Sequence, residues 1–288
     1  MEEEQERFVE IMDQGRLAGI LHLPSNMDHP CPVVIYCPGK NGERYEVHRL
    51  AVKLGRVLAQ CGIAFLRFDY YGIGLSDGSY HQMTTSTKVS NVKKAFEYLQ
   101  NIDEVDTTRT TLLGFSDGAR IALMVANEMS LSNLVLWSPL FYEFGGNYPG
   151  NRKPRFERLP KHPNNLVMPW AGLWVSMDFY RDLFNIDIDK ELRAFTGESL
   201  LIFGEEDPLI QEEFEIINTF SLPVYSNSEA HKVVSVPEAG HLFTSVKLES
   251  KLMMETVGWL LSSEGDKRHV ATSATRTGEE HDRNYSGA

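Results

Sequence analysis

Residues 110–124 read TTLLGFSDGARIALM, and they carry the strongest indication of the fold. Its first residues predict a buried strand and its last residues a helix, because an apolar pair precedes Gly114 and apolar residues recur at helical spacing after Gly118. The five residues between match Gly-x-Ser-x-Gly, a sharp strand-to-helix turn that lifts the hydroxyl of Ser116 off the backbone. Flanking glycines are needed because bulkier side chains would collide in so tight a turn. Ser116 is therefore the candidate nucleophile.

Predicted strands and helices alternate on both sides of this turn. Strands that alternate with helices form βαβ units, which wind a mostly parallel sheet with right-handed crossovers. The sequence therefore predicts an α/β fold whose sheet is flanked by helices. After an opening hairpin at 8–13 and 17–23, strands are predicted at 32–37, 63–68, 110–115, 133–137, 199–203 and 232–236, with helices at 46–60, 87–100, 118–128, 209–219 and 245–261.

Two segments interrupt this alternation. Residues 139–196 are far too long for an ordinary connection and are crowded with aromatic residues, so we expect a small helical cap inserted after the sixth strand. Residues 264–288 are polar and rich in Ser, Thr, Gly and charge, as in a disordered tail. The predicted core is then 1–138 together with 197–263.

Composition excludes several classes of protein. The 288 residues carry 28 Lys and Arg against 40 Asp and Glu, a net charge of −12, which disfavours binding to nucleic acid or to an anionic membrane surface. The three cysteines are widely spaced, which argues against a disulfide framework or a zinc site. The acidic first residues do not resemble a signal peptide, and no apolar run is long enough to span a bilayer. We therefore expect a cytoplasmic protein.

A serine nucleophile needs a base, and the base needs an acid to orient it. His241 follows the strand at 232–236, and the loops after the strands of a parallel sheet are where side chains converge on ligands. Asp207 follows the strand at 199–203 and is held by the rigid Pro208, although Glu206 beside it is an alternative acid. The predicted order is Ser116 as nucleophile, Asp207 as acid and His241 as base.

Four motifs occur in the order seen in the α/β-hydrolase fold family, and the chain resembles that family over residues 8–263. The motifs are Gly-x-Ser-x-Gly around Ser116, Asp-x-x-Gly-x-Gly-x-Ser over 69–76, Gly-x-x-Asp ending at Asp207, and Gly-His ending at His241. The insertion after the sixth strand makes the chain similar to capped serine carboxylesterases, in particular to the cinnamoyl or feruloyl esterase-like branch.

The resemblance also implies an oxyanion hole. Residues 37–42 stand where the family has its oxyanion loop, with Pro38 in place of the usual histidine. By this resemblance, the backbone N–H groups of Lys40 and Asp117 would bind the oxyanion. The carboxylate of Asp117 would disfavour anionic substrates unless it turns away from the pocket.

The sequence thus predicts a serine hydrolase that cleaves a carboxylic ester or thioester through an acyl-enzyme, with no metal or organic cofactor. The expected substrate is a small molecule with an apolar or aromatic group. Three alternatives stay open at this point. They are a thioesterase or acyltransferase that releases or cyclises an acyl chain from an acyl carrier protein, an aminopeptidase, and a non-catalytic ligand-binding protein on the same fold.

Overall fold

The computed structural model describes residues 5–25, 29–142, 157–159, 162–170, 172–217 and 222–263. In chain order its strands are β1 (Gln5–Met12), β2 (Arg16–Leu23), β3 (Cys31–Cys37), β4 (Ala64–Phe68), β5 (Val105–Phe115), β6 (Asn133–Trp137), β7 (Glu157–Leu159), β8 (His162–Trp170), β9 (Leu173–Ser176), β10 (Glu198–Gly204) and β11 (His231–Val236). Its helices are α1 (Leu50–Gln60), α2 (Thr85–Leu99), α3 (Asp117–Met129), α4 (Met177–Phe184), α5 (Ile188–Ala194), α6 (Pro208–Ile217) and α7 (246–263).

Eight of these strands form one twisted sheet in the order β1-β2-β4-β3-β5-β6-β10-β11. The hairpin β1–β2 is antiparallel, and β2 also pairs antiparallel with β4. From β4 to β11 every pairing is parallel. The mostly parallel sheet flanked by helices is therefore confirmed.

Helices cover both faces of the sheet. On one face, α1 and α7 bury residues such as Leu54, Leu58 and Leu252 against the sheet. On the other face, α2 and α3 bury residues such as Val92 and Ile121. The central strands β3, β4 and β6 are buried along their whole length, as expected for parallel strands covered on both sides.

The insertion after β6 differs from the helical cap that we expected. Its described part contains a three-stranded antiparallel sheet, β7-β8-β9, followed by the two short helices α4 and α5. The many aromatic residues indicate an insertion that packs onto the body of the protein, but they do not distinguish helices from strands. However, Pro163 and Pro169 disfavour a helix over this segment, and aromatic and β-branched residues such as Trp174 and Val175 suit strands equally well.

The two insertion helices contact the helices of the core. Asp182 of α4 accepts a hydrogen bond from the backbone N–H of Ser86 on α2 at 2.6 Å. Glu191 of α5 accepts a hydrogen bond from the side-chain amide of Asn127 on α3 at 2.7 Å. The domain boundaries and the covering role of the insertion stay predictions, and the predicted tail at 264–288 lies outside the described residues.

Candidate active site

The three predicted triad residues follow three strands at the same edge of the sheet. Ser116 comes directly after β5, Asp207 comes three residues after β10, and His241 comes five residues after β11. The carboxyl ends of parallel strands share one edge, so side chains that are far apart in sequence meet there.

Ser116 occupies a strained turn between β5 and α3. Its backbone has φ 56° and ψ −124°, outside the regions that non-glycine residues ordinarily adopt, at a cost of about 1–3 kcal/mol. The turn is held from neighbouring elements: the N–H of Ser116 donates to the carbonyl of Trp137 at 2.9 Å, and its carbonyl accepts from the N–H of Leu140 at 3.1 Å.

The glycines on either side of Ser116 permit close backbone packing. A Cβ at Gly114 would lie 2.4 Å from the Cα of Ala119. A Cβ at Gly118 would lie only 2.0 Å from the carbonyl oxygen of Cys37. The second contact brings the start of α3 against the end of β3, which leads into the loop at residues 37–42.

Two hydrogen bonds connect Ser116, His241 and Asp207. The Nε2 of His241 lies 3.0 Å from the Oγ of Ser116, and the Nδ1 of His241 lies 2.7 Å from Oδ2 of Asp207. The other oxygen of Asp207 accepts from the N–H of Leu209 at 3.0 Å in the first turn of α6, which fixes the carboxylate. The ring of His241 stacks on Phe115, with 5.3 Å between ring centroids. Ser116, Asp207 and Phe115 together hold the ring of His241 in one orientation.

The structure also distinguishes the two candidate acids. Asp207 is fully buried and contacts His241, whereas Glu206 is exposed. The turn after β10 brings Asp207 to the site because Gly204 packs closely against Ala239. A Cβ at Gly204 would lie 2.2 Å from the carbonyl oxygen of Ala239.

The loop at residues 37–42 passes beside Ser116. A Cβ placed on Gly39 would lie 3.6 Å from the Cβ of Ser116. The carbonyl of Gly39 accepts a hydrogen bond from the N–H of Gly42 at 3.2 Å, which sets the orientation of the peptide that carries the N–H of Lys40. The N–H of Asp117 belongs to the first residue of α3, so the helix itself provides no acceptor for it. The oxyanion role of Lys40 and Asp117 stays a prediction.

The carboxylate of Asp117 is not exposed at a pocket mouth, so it does not present its charge to a substrate. It is fully buried and accepts hydrogen bonds from Lys88, at 2.7 Å, and from Arg120. Burial by itself raises the pKa of Asp117. The charges of Arg120 and Lys88 together have a larger effect in the opposite direction, and the pKa is lowered to about 2. The carboxylate is thus neutralised by its two partners.

Lys88 and Arg120 stand in no motif and were not among the residues predicted for the site. Both lysine and arginine are almost never fully buried unless they are paired, and each of these two is fully buried here. A signal was present in α2, because Lys88 falls on the stripe formed by Thr85, Val89, Val92 and the apolar residues that follow.

Within the described ranges, no group of three or more His, Cys, Asp or Glu side chains is arranged to hold a metal ion. None of the helices in the same ranges is long and apolar enough to cross a membrane.

Comparison with known proteins gives matches of two kinds. A family model for FrsA-like esterases matches residues 5–132. Esterase FrsA of Yersinia enterocolitica is 33% identical over 119 residues, which are 41% of this chain and 27% of that protein. Esterase FrsA of Photorhabdus laumondii is 32% identical over 116 residues, 40% of this chain and 26% of that protein. The aligned part thus spans about a quarter of these curated relatives.

Solved structures match a larger share of the chain. Est1E from Butyrivibrio proteoclasticus with ferulic acid bound aligns with a TM-score of 0.71 at 21% identity, over 88% of this chain and 99% of that one. Dienelactone hydrolase from Anabaena variabilis aligns with a TM-score of 0.60 at 17% identity, over 90% of this chain and 98% of that one. The sheet order, the strand-to-helix turn at Ser116 and these alignments together establish that the chain has the α/β-hydrolase fold.

Proposed function

We propose that this protein is a serine hydrolase that cleaves carboxylic esters of small molecules through an acyl-enzyme intermediate. The observation that carries the proposal is the chain of two hydrogen bonds from Ser116 through His241 to Asp207. A serine hydroxyl alone is a poor nucleophile, and an adjacent base that is itself oriented by a carboxylate is the usual means of activating it. The similarity of residues 5–132 to FrsA-like esterases supports the same activity.

Acylation would begin with attack of Ser116 Oγ on the ester carbonyl carbon, while the hydroxyl proton moves to Nε2 of His241. The Nδ1–H of His241 donates to Asp207, whose negative charge stabilises the imidazolium. The N–H groups of Lys40 and Asp117 would receive the oxyanion of the tetrahedral intermediate. When the intermediate collapses, His241 returns the proton to the leaving alkoxide, and an alcohol departs.

Deacylation would repeat these steps with water. His241 takes a proton from the attacking water, and the new oxyanion occupies the same two N–H groups. The bond between the acyl carbon and Ser116 Oγ then breaks, Oγ recovers a proton from His241, and a carboxylic acid is released.

An aromatic or other apolar acyl group is the substrate feature that we propose. Phe179 and Tyr180 of α4 contact the loop that carries Lys40, with its ammonium 4.9 Å from the ring centroid of Phe179. Both rings are buried against this loop, so apolar side chains of the insertion pack next to the segment that carries the proposed oxyanion hole. Est1E, which shares the fold, was solved with ferulic acid, an aromatic acid, bound.

The first test is covalent labelling with a fluorophosphonate, followed by intact-protein mass spectrometry. We expect one adduct on the wild-type protein and none on Ser116→Ala. Ser130→Ala is the matched control, because Ser130 lies at the opposite, exposed end of the same helix and should label like wild type. Wild-type protein that is folded but takes up no adduct would contradict the proposal.

The second test measures hydrolysis of p-nitrophenyl esters with acetyl, octanoyl and cinnamoyl groups, alongside matching acyl thioesters. We expect ester hydrolysis that is abolished by Ser116→Ala and is fastest for the cinnamoyl or octanoyl group. Hydrolysis of the acetyl ester alone would remove the proposed preference for an apolar acyl group and leave the serine hydrolase assignment intact.

A further inference from the structure

Lys88 is a fully buried lysine beside the proposed oxyanion hole. It lies on the inner stripe of α2, and its side chain has no exposed surface. Desolvation of an ammonium group costs several kcal/mol, and a well-packed apolar residue at such a place is often as stabilising as an ion pair. A lysine here therefore calls for an explanation other than stability.

The ammonium of Lys88 connects the two backbone segments that carry the proposed oxyanion donors. Its Nζ donates to Oδ2 of Asp117 at 2.7 Å, at the start of α3. The same Nζ donates to the carbonyl oxygen of Lys40 at 3.3 Å, in the loop at residues 37–42. A third side of the ammonium faces the ring of Tyr70, whose centroid is 5.0 Å away. One group thus sets the distance between the loop and the helix.

The hydroxyl of Tyr80 also donates to the carbonyl of Lys40, at 3.3 Å. Two donors therefore hold this carbonyl on the side of α2. The N–H of Lys40 shares its peptide plane with the Gly39 carbonyl, which is held by Gly42, while Lys88 and Tyr80 hold the following peptide by the Lys40 carbonyl. Restraints on both sides of the Lys40 Cα thus fix the position of this N–H.

The charges around the site are arranged asymmetrically. Lys88 and Arg120 place two positive charges beside the one negative charge of Asp117, and the ammonium of Lys40 adds a third positive charge that acts on this carboxylate, so positive charge is in excess at the start of α3. The carboxylate of Asp207 lies on the side of His241. This distribution complements a transition state with a developing oxyanion on one side and a developing imidazolium on the other.

We propose that Lys88 is a positioning residue for the oxyanion hole: it fixes the backbone N–H groups of Lys40 and Asp117 relative to each other and adds positive charge behind them. This inference rests on the proposed serine hydrolase function. Lys88 acts through the two backbone segments and not by contact with the substrate.

Lys88→Met is the informative substitution, because methionine has a similar length and no charge. Asp117 keeps its ion pair with Arg120 in this variant, so no buried charge is left without a partner. Lys93→Met is the matched control, since Lys93 lies on the same helix but is partly exposed and pairs with the exposed Glu128.

We expect Lys88→Met to lower kcat for a p-nitrophenyl ester by about 10- to 100-fold, which is less than the roughly 10²- to 10³-fold loss that follows removal of an oxyanion donor itself. Because the substrate's ground state makes little use of the hole, KM should change by less than about threefold. The inhibition constant of a trifluoromethyl ketone, which forms a tetrahedral adduct with the serine, should weaken in parallel with kcat/KM. Lys93→Met should match wild type in all three measurements.

A kcat for Lys88→Met within about threefold of the control would overturn the inference. So would a loss of activity carried by KM alone, or one that leaves ketone binding unchanged. Labelling of wild-type Ser116 by the fluorophosphonate separates these results from a failure of the proposed function, which would appear as no labelling at all.

If Lys88→Met does not fold, as judged by circular dichroism, Tyr80→Phe tests the same carbonyl restraint without changing charge. We expect kcat to fall by about threefold or more and KM to stay constant. An unchanged kcat in Tyr80→Phe would then overturn the positioning of Lys40.

Discussion

Gly118 packs so closely against the end of β3 that alanine at this position should disrupt the candidate site without replacing any residue of the proposed triad. The added Cβ would lie 2.0 Å from the carbonyl oxygen of Cys37 and 2.5 Å from that of Pro38, whereas real Cβ atoms stay at least 3.0 Å away. Both contacts are to backbone atoms, so no side chain can rotate to make room. The two segments must therefore move apart by about 1 Å.

This movement would separate the two proposed oxyanion donors. Asp117 directly precedes Gly118, and the segment from Cys37 leads to Lys40, so each donor lies on one of the displaced segments. A displacement of about 1 Å can lower catalytic rates by about 10²-fold. Overpacking of this kind typically destabilises the fold by about 1–3 kcal/mol.

The assay compares kcat/KM on a p-nitrophenyl ester and urea unfolding for wild type, Gly118→Ala and Gly258→Ala. Gly258 is an exposed glycine of α7 with no atom within 4 Å of an added Cβ, so this control should keep full activity. The control should also gain about 0.5–1 kcal/mol of stability, because alanine is the better helix former. A wild-type kcat/KM in Gly118→Ala would show that the close backbone contact at Gly118 does not position the two proposed donors.

Two further predictions concern buried groups. Asp207→Asn should lower kcat by roughly 10³- to 10⁴-fold, because the neutral amide no longer favours the tautomer with a proton on Nδ1 of His241. Glu206 is exposed, so Glu206→Gln should behave as wild type in the same assay. Burial and the neighbouring charge of Arg67 lower the pKa of His22 from 6.5 to about 4, so between these values the unfolded chain binds a proton that the folded chain does not. The free energy of unfolding should therefore fall by about 3 kcal/mol from this group as the pH drops from 6.5 to 4. Urea unfolding of His22→Gln across this range should lack that component, and parallel pH profiles for variant and wild type would contradict the assignment.

Local patterns in the sequence account for most of the sheet. The apolar runs at 32–37 and 133–137 predict strands that the structure shows as β3 and β6 within one residue at each end. Such strands can be predicted from the residues alone, because a strand buried on both faces of a parallel sheet consists almost entirely of apolar residues. The helix predicted at 46–60 begins later, at Leu50, since Glu46, His48 and Arg49 all have positive φ, a conformation that no helical period reveals.

The insertion could not be predicted in the same way. Its described strands pair with one another and not with the main sheet, while Val175 of β9 packs in the same hydrophobic core as Ile35 of β3, so no neighbouring main-sheet strand fixes their pattern. The aromatic residues of 139–196 fit either a helix or a strand, and only the pairing partner decides between them.

The close approach of the candidate residues could be predicted where each stands in a recognisable motif, and not where several distant residues share a charge. Ser116, Asp207 and His241 each follow a strand and could be ordered along the chain. The cluster of Lys88, Asp117 and Arg120 joins a helix residue with two others on the next helix, and its Lys88 contact spans 29 positions. No spacing rule connects such residues, although a lysine on an apolar stripe was a sign that it would be buried.

The sequence separations within the site have a consequence for refolding. The hydrogen bond between Ser116 and His241 joins residues 125 positions apart, and β10 pairs with β6 only after the whole insertion has been looped out. Contacts between distant segments form slowly, because the chain loses entropy in closing each loop before the contact compensates for it. The β1–β2 hairpin and the turn at Ser116 depend on nearby residues and can form early. Hydrolytic activity should therefore return last on dilution from urea, after the far-UV signal of the helices, when β10 and β11 have joined the edge of the sheet.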